Sequence, residues 1–340
     1  MSEISGYDVV GDIGGNLSAF NKLTQKLGYE KVSGHLRHPD ARILVSVGDI
    51  VNGGDANRPI YDLLRATCEE GLAQMVPGNQ EFMHLQFALD QQDKVDTLGK
   101  KVKYLQSTLD EFSNDQTAYR EMVKWFASLP ITLKFNDAGF RIAHACYDEI
   151  GNKITSSWRD EGGALSDDAI RLYARDMGDT ADPSLLKQQK DLRQSVDKII
   201  YGHELALPQD YAMRFGEKGG ERKVVRPYYW RRDLARMFPS GKLFKGDENV
   251  DIINDQEDLN DFKAALFGEY NVTKLEFAAE KMPTLVGHFS LSGSPRINQH
   301  NLVCLDYKEY MTAYRVDMDA PKNEDGHHKF NRDNLVSVSL

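Results

Sequence analysis

Within the first eighty residues, three short apolar runs each end in a glycine followed by an acid or an amide. They are Gly11-Asp12-Ile13-Gly14-Gly15, Gly48-Asp49-Ile50-Val51-Asn52-Gly53-Gly54 and Gly78-Asn79-Gln80-Glu81. The runs Tyr7 to Gly11, Ile43 to Val47 and Leu72 to Val76 read as buried strands. Between the first two, Leu17, Phe20, Leu23 and Leu27 recur near helical spacing, with Asn16 placed to cap. Between the second and third, Pro59 suits the first turn of a helix that carries Ile60, Leu63, Leu64 and Cys68 inward. This is a βαβαβ unit, which implies parallel strands joined by right-handed crossovers. All three polar motifs then fall at the carboxyl ends of strands, where open α/β sheets bind ligands.

A single Gly-Asp or Gly-Asn after a strand commonly makes only a turn. Three in order, after three successive strands, point to a metal rim. Two divalent cations about 3.5 to 4 Å apart need several oxygen and nitrogen ligands on one rim, with one carboxylate shared. Asp12, Asp49 and Asn79 supply part of that set.

These motifs resemble those of the calcineurin-like metallophosphoesterases, which run Asp-x-His-Gly, Gly-Asp-x-x-Asp-Arg-Gly and Gly-Asn-His-Glu or Gly-Asn-His-Asp. The frame is kept and the chemistry is changed. Gly14 stands where the family has a metal-binding His, Asn52 and Gly53 where it has Asp and Arg, and Gln80 where it has the general-acid His. Downstream, Arg141-Ile142-Ala143-His144 and Leu285-Val286-Gly287-His288 resemble the family's later strands that end in His ligands. The resemblance implies a complete second metal site at Asp49, Asn79, His144 and His288, and a first site that retains only Asp12 and the shared Asp49. The expected cofactor is one divalent metal per chain, Mn, Fe, Zn or Mg. Tyr7 to Asp12 and the segments Gly287 to Gly293 and Cys304 to Tyr307 are most similar to bacterial proteins of the symmetrical diadenosine tetraphosphatase type, and they bracket about nine-tenths of the chain.

The resemblance implies an α/β (α+β) fold, a four-layer sandwich of two mixed sheets flanked by helices. Residues 1–320 are expected to form a single domain. A helical insertion is expected at about 81–129, where Leu98, Val102, Leu105 and Leu109 recur on one face and Trp125 follows. Strands return at Ile131 to Phe135 and Phe140 to Ala145. The 143 residues between His144 and His288 exceed one crossover, so a cap insertion is expected at about 150–282. Within it Ala169 to Met177 and Leu185 to Ile200 read as helical and Lys223 to Trp230 as extended. Pro283 through Val316 reads as antiparallel strands closing the second sheet. Residues 321–340 read as a polar tail, with Asp319 to Asp333 mobile and His327 and His328 solvated.

A carboxamide exchanges no proton near neutral pH, so Gln80 cannot protonate a leaving alkoxide, although it can donate a hydrogen bond to phosphate. Losing a general acid removes about 10²- to 10⁴-fold in rate. Asn52 beside Gln80 is expected to form a neutral amide pair. His203, in a second Gly-His, competes with His288 for the ligand role, and the apolar strand before His288 favours the latter. The segment from Arg214 to Lys245 holds ten Lys or Arg against three acids. Arg226, Arg231 and Arg232, interleaved with Tyr229, are candidates to bind phosphates and stack a base; a solvated cap surface is the alternative.

Composition bounds the rest. At 340 residues with 41% apolar content, the chain can bury one large core with a substantial insertion. A net charge of -10 disfavours indiscriminate nucleic-acid binding. No run approaches the roughly 18 apolar residues of a membrane span, and Met1-Ser2-Glu3-Ile4-Ser5 lacks a signal-type start, so the expected location is cytoplasmic. Cys68, Cys146 and Cys304 are odd in number and embedded in apolar sequence, which fits reduced core thiols. Three functions stay open: a pseudophosphatase that binds a nucleotide or other phosphorylated ligand, a weak single-metal phosphoesterase acting on nucleotides, dinucleoside polyphosphates or phosphoproteins, and a protein or nucleic-acid interaction module acting through residues 214–245.

Overall fold

The computed structural model describes residues 3–93, 102–175, 177, 182–214, 221–231, 242–245, 260–262, 265 and 282–340. These fall into two compact units, Met1–Ile200 with Met282–Leu340, and Tyr201–Lys281.

The first unit opens with β1 (Gly6–Val10), α1 (Leu17–Leu27), the hairpin β2 (Glu30–Val32) and β3 (His35–Arg37), β4 (Arg42–Ser46), α2 (Asn57–Glu69) and β5 (Ala73–Met75). Asn16 caps α1 as expected, its side chain accepting from the Ala19 N–H. Pro59 lies in the first turn of α2, and Ile60, Leu63 and Leu64 are buried, while Cys68 is only partly so. The β2–β3 hairpin is an addition to the expected unit. Its turn is Ser33-Gly34, both at positive φ, the backbone that two-residue hairpin loops favour.

Helices α3 (Asn79–Asp93), α4 (Val102–Glu111) and α5 (Gln116–Ala127) follow. Leu105 is buried there and Leu109 partly so, whereas Leu98 lies outside the described residues. The chain continues through β6 (Thr132–Phe135), β7 (Phe140–Ala143), α6 (Glu149–Ser156), α7 (Asp167–Ala174) and α8 (Pro183–Tyr201). The second unit contributes β8 (Leu205–Ala206), β9 (Tyr211–Arg214), β10 (Glu221–Arg222), β11 (Val224–Val225) and β12 (Lys242–Lys245). Of the extended run expected from Lys223 to Trp230, only Val224–Val225 pairs, with Leu205–Ala206. The first unit closes with β13 (Thr284–Val286), β14 (Leu302–Cys304), β15 (Tyr310–Asp317) and β16 (Leu335–Ser339).

Two mixed sheets organise the first unit, in the orders β16-β15-β1-β4-β5 and β14-β13-β7-β6. β1, β4 and β5 run parallel, and so do β7, β13 and β14. Alternate residues of each strand meet in a shared core: Tyr7, Val9, Ile43, Val45, Tyr314 and Val316 from one sheet face Phe140, Ile142, Leu285 and Val303 from the other. Because both parallel sets point the same way within their sheets, their carboxyl ends are where the polar motifs emerge.

Two expectations for the end of the chain are corrected. Pro283 to Val316 does not supply antiparallel strands to one sheet: β13 and β14 are parallel, with residues 287–301 long enough for the crossover, and β15 instead joins the first sheet beside β1. Residues 321–340 are not merely a polar tail, since β16 pairs along β15. Before it, His328 is 3% exposed and lies 3.3 Å from the Tyr314 hydroxyl, so it is packed rather than solvated.

In the middle of β1, Asp8 is fully buried between Arg42 and Arg315, which approach its carboxylate to 2.9 Å from both sides. Arg42 also donates to the Tyr7 and Val316 carbonyls, tying three strands together. Removing Arg42 leaves the buried Asp8 with Arg315 as its remaining cation and takes the donor from two strand carbonyls. Hydrogen bonds to charged groups contribute about 1.5 to 3 kcal/mol each, so Arg42→Ala should lower the unfolding free energy by about 2 to 3 kcal/mol; a loss under about 1 kcal/mol in denaturant unfolding would contradict this role.

Candidate metal centre

Six strand ends converge on one rim. Asp12 follows β1, Asp49 follows β4, Asn79 follows β5, His144 follows β7, His288 follows β13 and Asp306 follows β14. The loops after β1 and β4 are stitched by backbone bonds, with the Ile13 and Gly14 N–H groups both donating to the Asp49 carbonyl. The His288 N–H lies 3.2 Å from both carboxylate oxygens of Asp12, so the far sheet positions the first acid. Glu81, fully buried, accepts from the N–H groups of Gly78, Asp49 and Ile50 and clamps the second motif to the third.

The rim is tight and strained. Asp49, Asn52 and His288 all adopt positive φ, which costs a non-glycine residue free energy and marks functional sites. A Cβ at Gly78 would lie 2.2 Å from the Asp49 carboxylate, and one at Gly287 would lie 2.0 Å from that of Asp12. Only glycine allows those approaches. Gly14 has open space where a side chain would project.

The imidazoles are oriented for an ion. His144, fully buried, lies with Nδ1 2.8 Å from the Val47 carbonyl, which can only accept, so in the neutral ring Nε2 presents its lone pair. That Nε2 lies 3.4 Å from Asp49 Oδ1 and 3.2 Å from the Asn79 carboxamide, and His288 Nδ1 lies 2.7 Å from the same carboxamide. Ligands each about 2.0 to 2.2 Å from one ion stand about 3 to 3.4 Å apart, so Asp49, Asn79 and His144 are spaced as donors to one divalent cation, and His288 meets them through the Asn79 carboxamide. Asp12, Asp49 and His144 form a possible metal-binding triad whose ligand atoms lie within 4.8 Å of one another.

Electrostatics agree. Burial pushes the Asp49 carboxyl up to about 7, with Asp306 adding repulsion against backbone hydrogen bonds that lower it. Asp12 is raised well above the carboxylate range by burial and then by Asp306 and Asp49. Burial and Asp49 hold Glu81 at about 7, and burial holds Asp306 at about 6. Crowded acids of this kind are what a cation relieves.

Of the residues expected to act, Asp12, Asp49, Asn79, His144 and His288 are brought together, and Asn52 Nδ2 donates to Gln80 Oε1 at 3.2 Å beside them. In the second unit, His203 packs tilted against Tyr229, their rings 5.3 Å apart, and Tyr229 is 3% exposed. Arg226 pairs with Glu204 at 3.0 Å, and Arg231 lies over the Tyr228 ring. Arg232 lies outside the described residues. Asp306 and the clamp role of Glu81 were not anticipated. The signal for Asp306 was present, an apolar strand, Leu302 to Cys304, running into an acid as β1 and β4 do.

An α/β protein that gathers acids, an amide and two imidazoles on one rim of two facing sheets is of the metallophosphoesterase class. The chain belongs to the calcineurin-like phosphoesterase family, whose model matches residues 7–207, and that family is metal-dependent. It is similar to the asymmetrical bis(5'-nucleosyl)-tetraphosphatase PrpE of Geobacillus sp. (strain WCH70), with 32% identity over 143 residues, 41% of this chain and 56% of that protein. The PrpE of Bacillus cereus (strain AH187) is 40% identical over 74 residues, 22% of this chain and 30% of the relative. The chain thus spans about half or less of the length of these curated relatives. Among solved structures, a putative diadenosine tetraphosphatase aligns at TM-score 0.41 and 13% identity, covering 99% of this chain and 95% of that one. A cold-active protein-tyrosine phosphatase of Shewanella sp. aligns at 0.44 and 14%, covering 93% and 81%. Among the described residues, no helix is long and apolar enough to cross a membrane.

The raised carboxyl values carry a sign. Asp49 and Glu81 bind protons more tightly folded than unfolded, so the ion-free fold loses stability as pH rises from their ordinary range near 4 through about 7. The ion-free protein should melt at a lower temperature at pH 8 than at pH 5.5, and Asp49→Asn should flatten that slope. A melting temperature that rises over this interval in the ion-free protein would contradict the crowding.

Proposed function

We propose that this chain is a metallophosphoesterase-fold protein that holds one divalent ion at Asp49, Asn79, His144 and His288 and binds a phosphorylated nucleotide there with little or no turnover. One observation carries the reading. The positions of the family's general-acid pair hold two carboxamides, Asn52 and Gln80, bonded to each other. When bound, a divalent ion polarises a phosphoryl oxygen. This chain's own groups then orient the ligand: the Gln80 amide is partly exposed at the rim and offers a hydrogen bond, and no proton, to a phosphate oxygen. The neighbouring acids are too closely engaged in the ion set or in backbone bonds to replace the missing acid.

The nucleotide is inferred from the named activity of the relatives. Slow hydrolysis of a dinucleoside polyphosphate is the second reading, favoured by Asp306, which adds a carboxylate next to Asp12 where the first site has lost its His at Gly14. In the basic segment Arg226 pairs with Glu204 and Arg231 lies over the Tyr228 ring, and the reading rests on the rim instead.

The test restores the pair. Asn52→Asp combined with Gln80→His should raise Mn²⁺-dependent hydrolysis of diadenosine tetraphosphate by about 10²-fold or more over the parent chain. The parent should bind about one Mn²⁺ by elemental analysis, lost in His288→Ala. Parental turnover that the double substitution leaves unchanged would establish the slow-enzyme reading and overturn the binding one.

A further inference from the structure

Behind the rim a row of polar side chains runs from Asn79 into the helical layer. Asn52 Nδ2 donates to Gln80 Oε1; Asn52 Oδ1 accepts from the Thr108 hydroxyl and lies 3.2 Å from His84 Nε2; His84 Nδ1 lies 3.0 Å from the Tyr119 hydroxyl. His84 and Thr108 are fully buried and Tyr119 nearly so. Burial pushes the His84 imidazolium down to about 3, so the ring is neutral with one N–H, and it pushes the Tyr119 hydroxyl up, so that proton stays. Each amide has one donating and one accepting end, and the neutral imidazole donates at one nitrogen and accepts at the other. The direction of any one hydrogen bond therefore fixes the direction of the next.

Asn79 stands at the head of the row. One end of its carboxamide lies 2.7 Å from His288 Nδ1, 3.2 Å from His144 Nε2 and 3.2 Å from Asp49 Oδ2, and the other lies 2.8 Å from Gln80 Nε2. Without an ion, the Asn79 NH₂ faces the two imidazoles and the carboxylate and shares its two hydrogens among them, while its oxygen accepts from Gln80 Nε2. Gln80 Oε1 then accepts from Asn52, whose oxygen accepts from Thr108 and from a His84 that carries its proton on Nε2. With an ion among these ligands, the Asn79 oxygen faces the ion and its NH₂ faces Gln80, donor against donor. Gln80 must turn over, and Asn52 after it. The Asn52 NH₂ then faces His84 Nε2 and the Thr108 hydroxyl, which leaves His84 to accept at Nε2 and to carry its single proton on Nδ1, donating to Tyr119. The imidazole gains and loses no net proton.

We propose that ion uptake at Asp49, Asn79, His144 and His288 reverses this relay end to end, making His84 a positioning residue whose tautomer is coupled to occupancy of the centre. The inference rests on the single-ion reading above. Its reciprocal is that anything fixing the relay's direction also sets ion affinity. Asn52→Asp does so: a carboxylate can only accept, so Gln80 must donate to it, its oxygen must face the Asn79 NH₂, and the Asn79 oxygen is preset toward the ion. His84 is then held with its proton on Nε2 whether or not the ion is present.

The experiment is ¹⁵N NMR of the histidine-labelled full chain titrated with Zn²⁺, with uptake followed by calorimetry and the His84 signals assigned by their loss in His84→Gln. In the parent, the protonated and unprotonated nitrogen signals of His84 should exchange places on saturation. In Asn52→Asp, Zn²⁺ should bind about 5-fold tighter or more, the scale of a coupling between sites, with the proton staying on Nε2 throughout. Zinc uptake at the rim with an unchanged His84 tautomer in the parent would overturn the relay and leave the single-ion reading standing. Tighter binding in Asn52→Asp with His84 still switching would also overturn it, since added charge alone then explains the affinity. Absence of zinc uptake would overturn both.

Discussion

The Glu81 carboxylate is the interaction on which the centre depends. It stands at the start of α3 with no exposure and accepts three backbone N–H groups, from Gly78, Asp49 and Ile50. Those bonds join the loops after β4 and β5 and hold Asp49 in a left-handed backbone conformation that it would otherwise leave. Burying a carboxylate is costly unless several donors meet it. Here the donors are the loops that carry Asp49 and Asn79 to one point, so satisfying the glutamate and assembling the rim are one event. Asn79 and Gln80 follow directly, because they are the first residues of the helix that Glu81 anchors.

The second sheet supplies the rest by the same logic. Val47 uses its carbonyl to set the His144 tautomer, and the His288 N–H holds Asp12, so each sheet orients a side chain that the other brings to the rim. A further clamp fixes the amide pair from the helical layer. Glu111 of α4 accepts from the Asn57 and Arg58 N–H groups at the start of α2, and the Asn57 side chain accepts from the Asn52 N–H. The substituted positions thus sit in a built polar setting with Thr108 and His84 as partners, which is how buried amides are kept. Replacement of an acid-base pair by amides removes a titrating proton and keeps a directed hydrogen bond.

Much of this was legible in the sequence because it is local. The strand before Asp12, the cap at Asn16, the first turn at Pro59 and the apolar runs leading into His144 and His288 each announce themselves within a few residues. The amide pair was also legible, since Asn52 and Gln80 stand at the positions that the resemblance assigns to the family's general-acid pair. What was not legible depends on strand direction and on distant partners. Leu302 to Cys304 is apolar and runs toward an acid whether the strand is parallel or antiparallel, so that local signal did not say to which end of the sheet Asp306 is carried. β16 follows a polar stretch, and its alternation of Val336 and Val338 was masked by that context. His84 gives no motif, and its role exists only because α4 and α5 bring Thr108 and Tyr119 to it. The aromatic residues Tyr228, Tyr229 and Trp230 read equally well as a binding surface, and they are buried in the second unit.

The central claim is a single-ion centre flanked by neutral amides. It is tested most directly by anomalous scattering at the manganese edge from crystals of the full chain grown with Mn²⁺. One strong peak is expected, among Asp49, Asn79, His144 and His288. Two peaks of comparable height about 3.5 to 4 Å apart, the second beside Asp12, would show a complete two-metal site and contradict it, as would the absence of any peak at the rim.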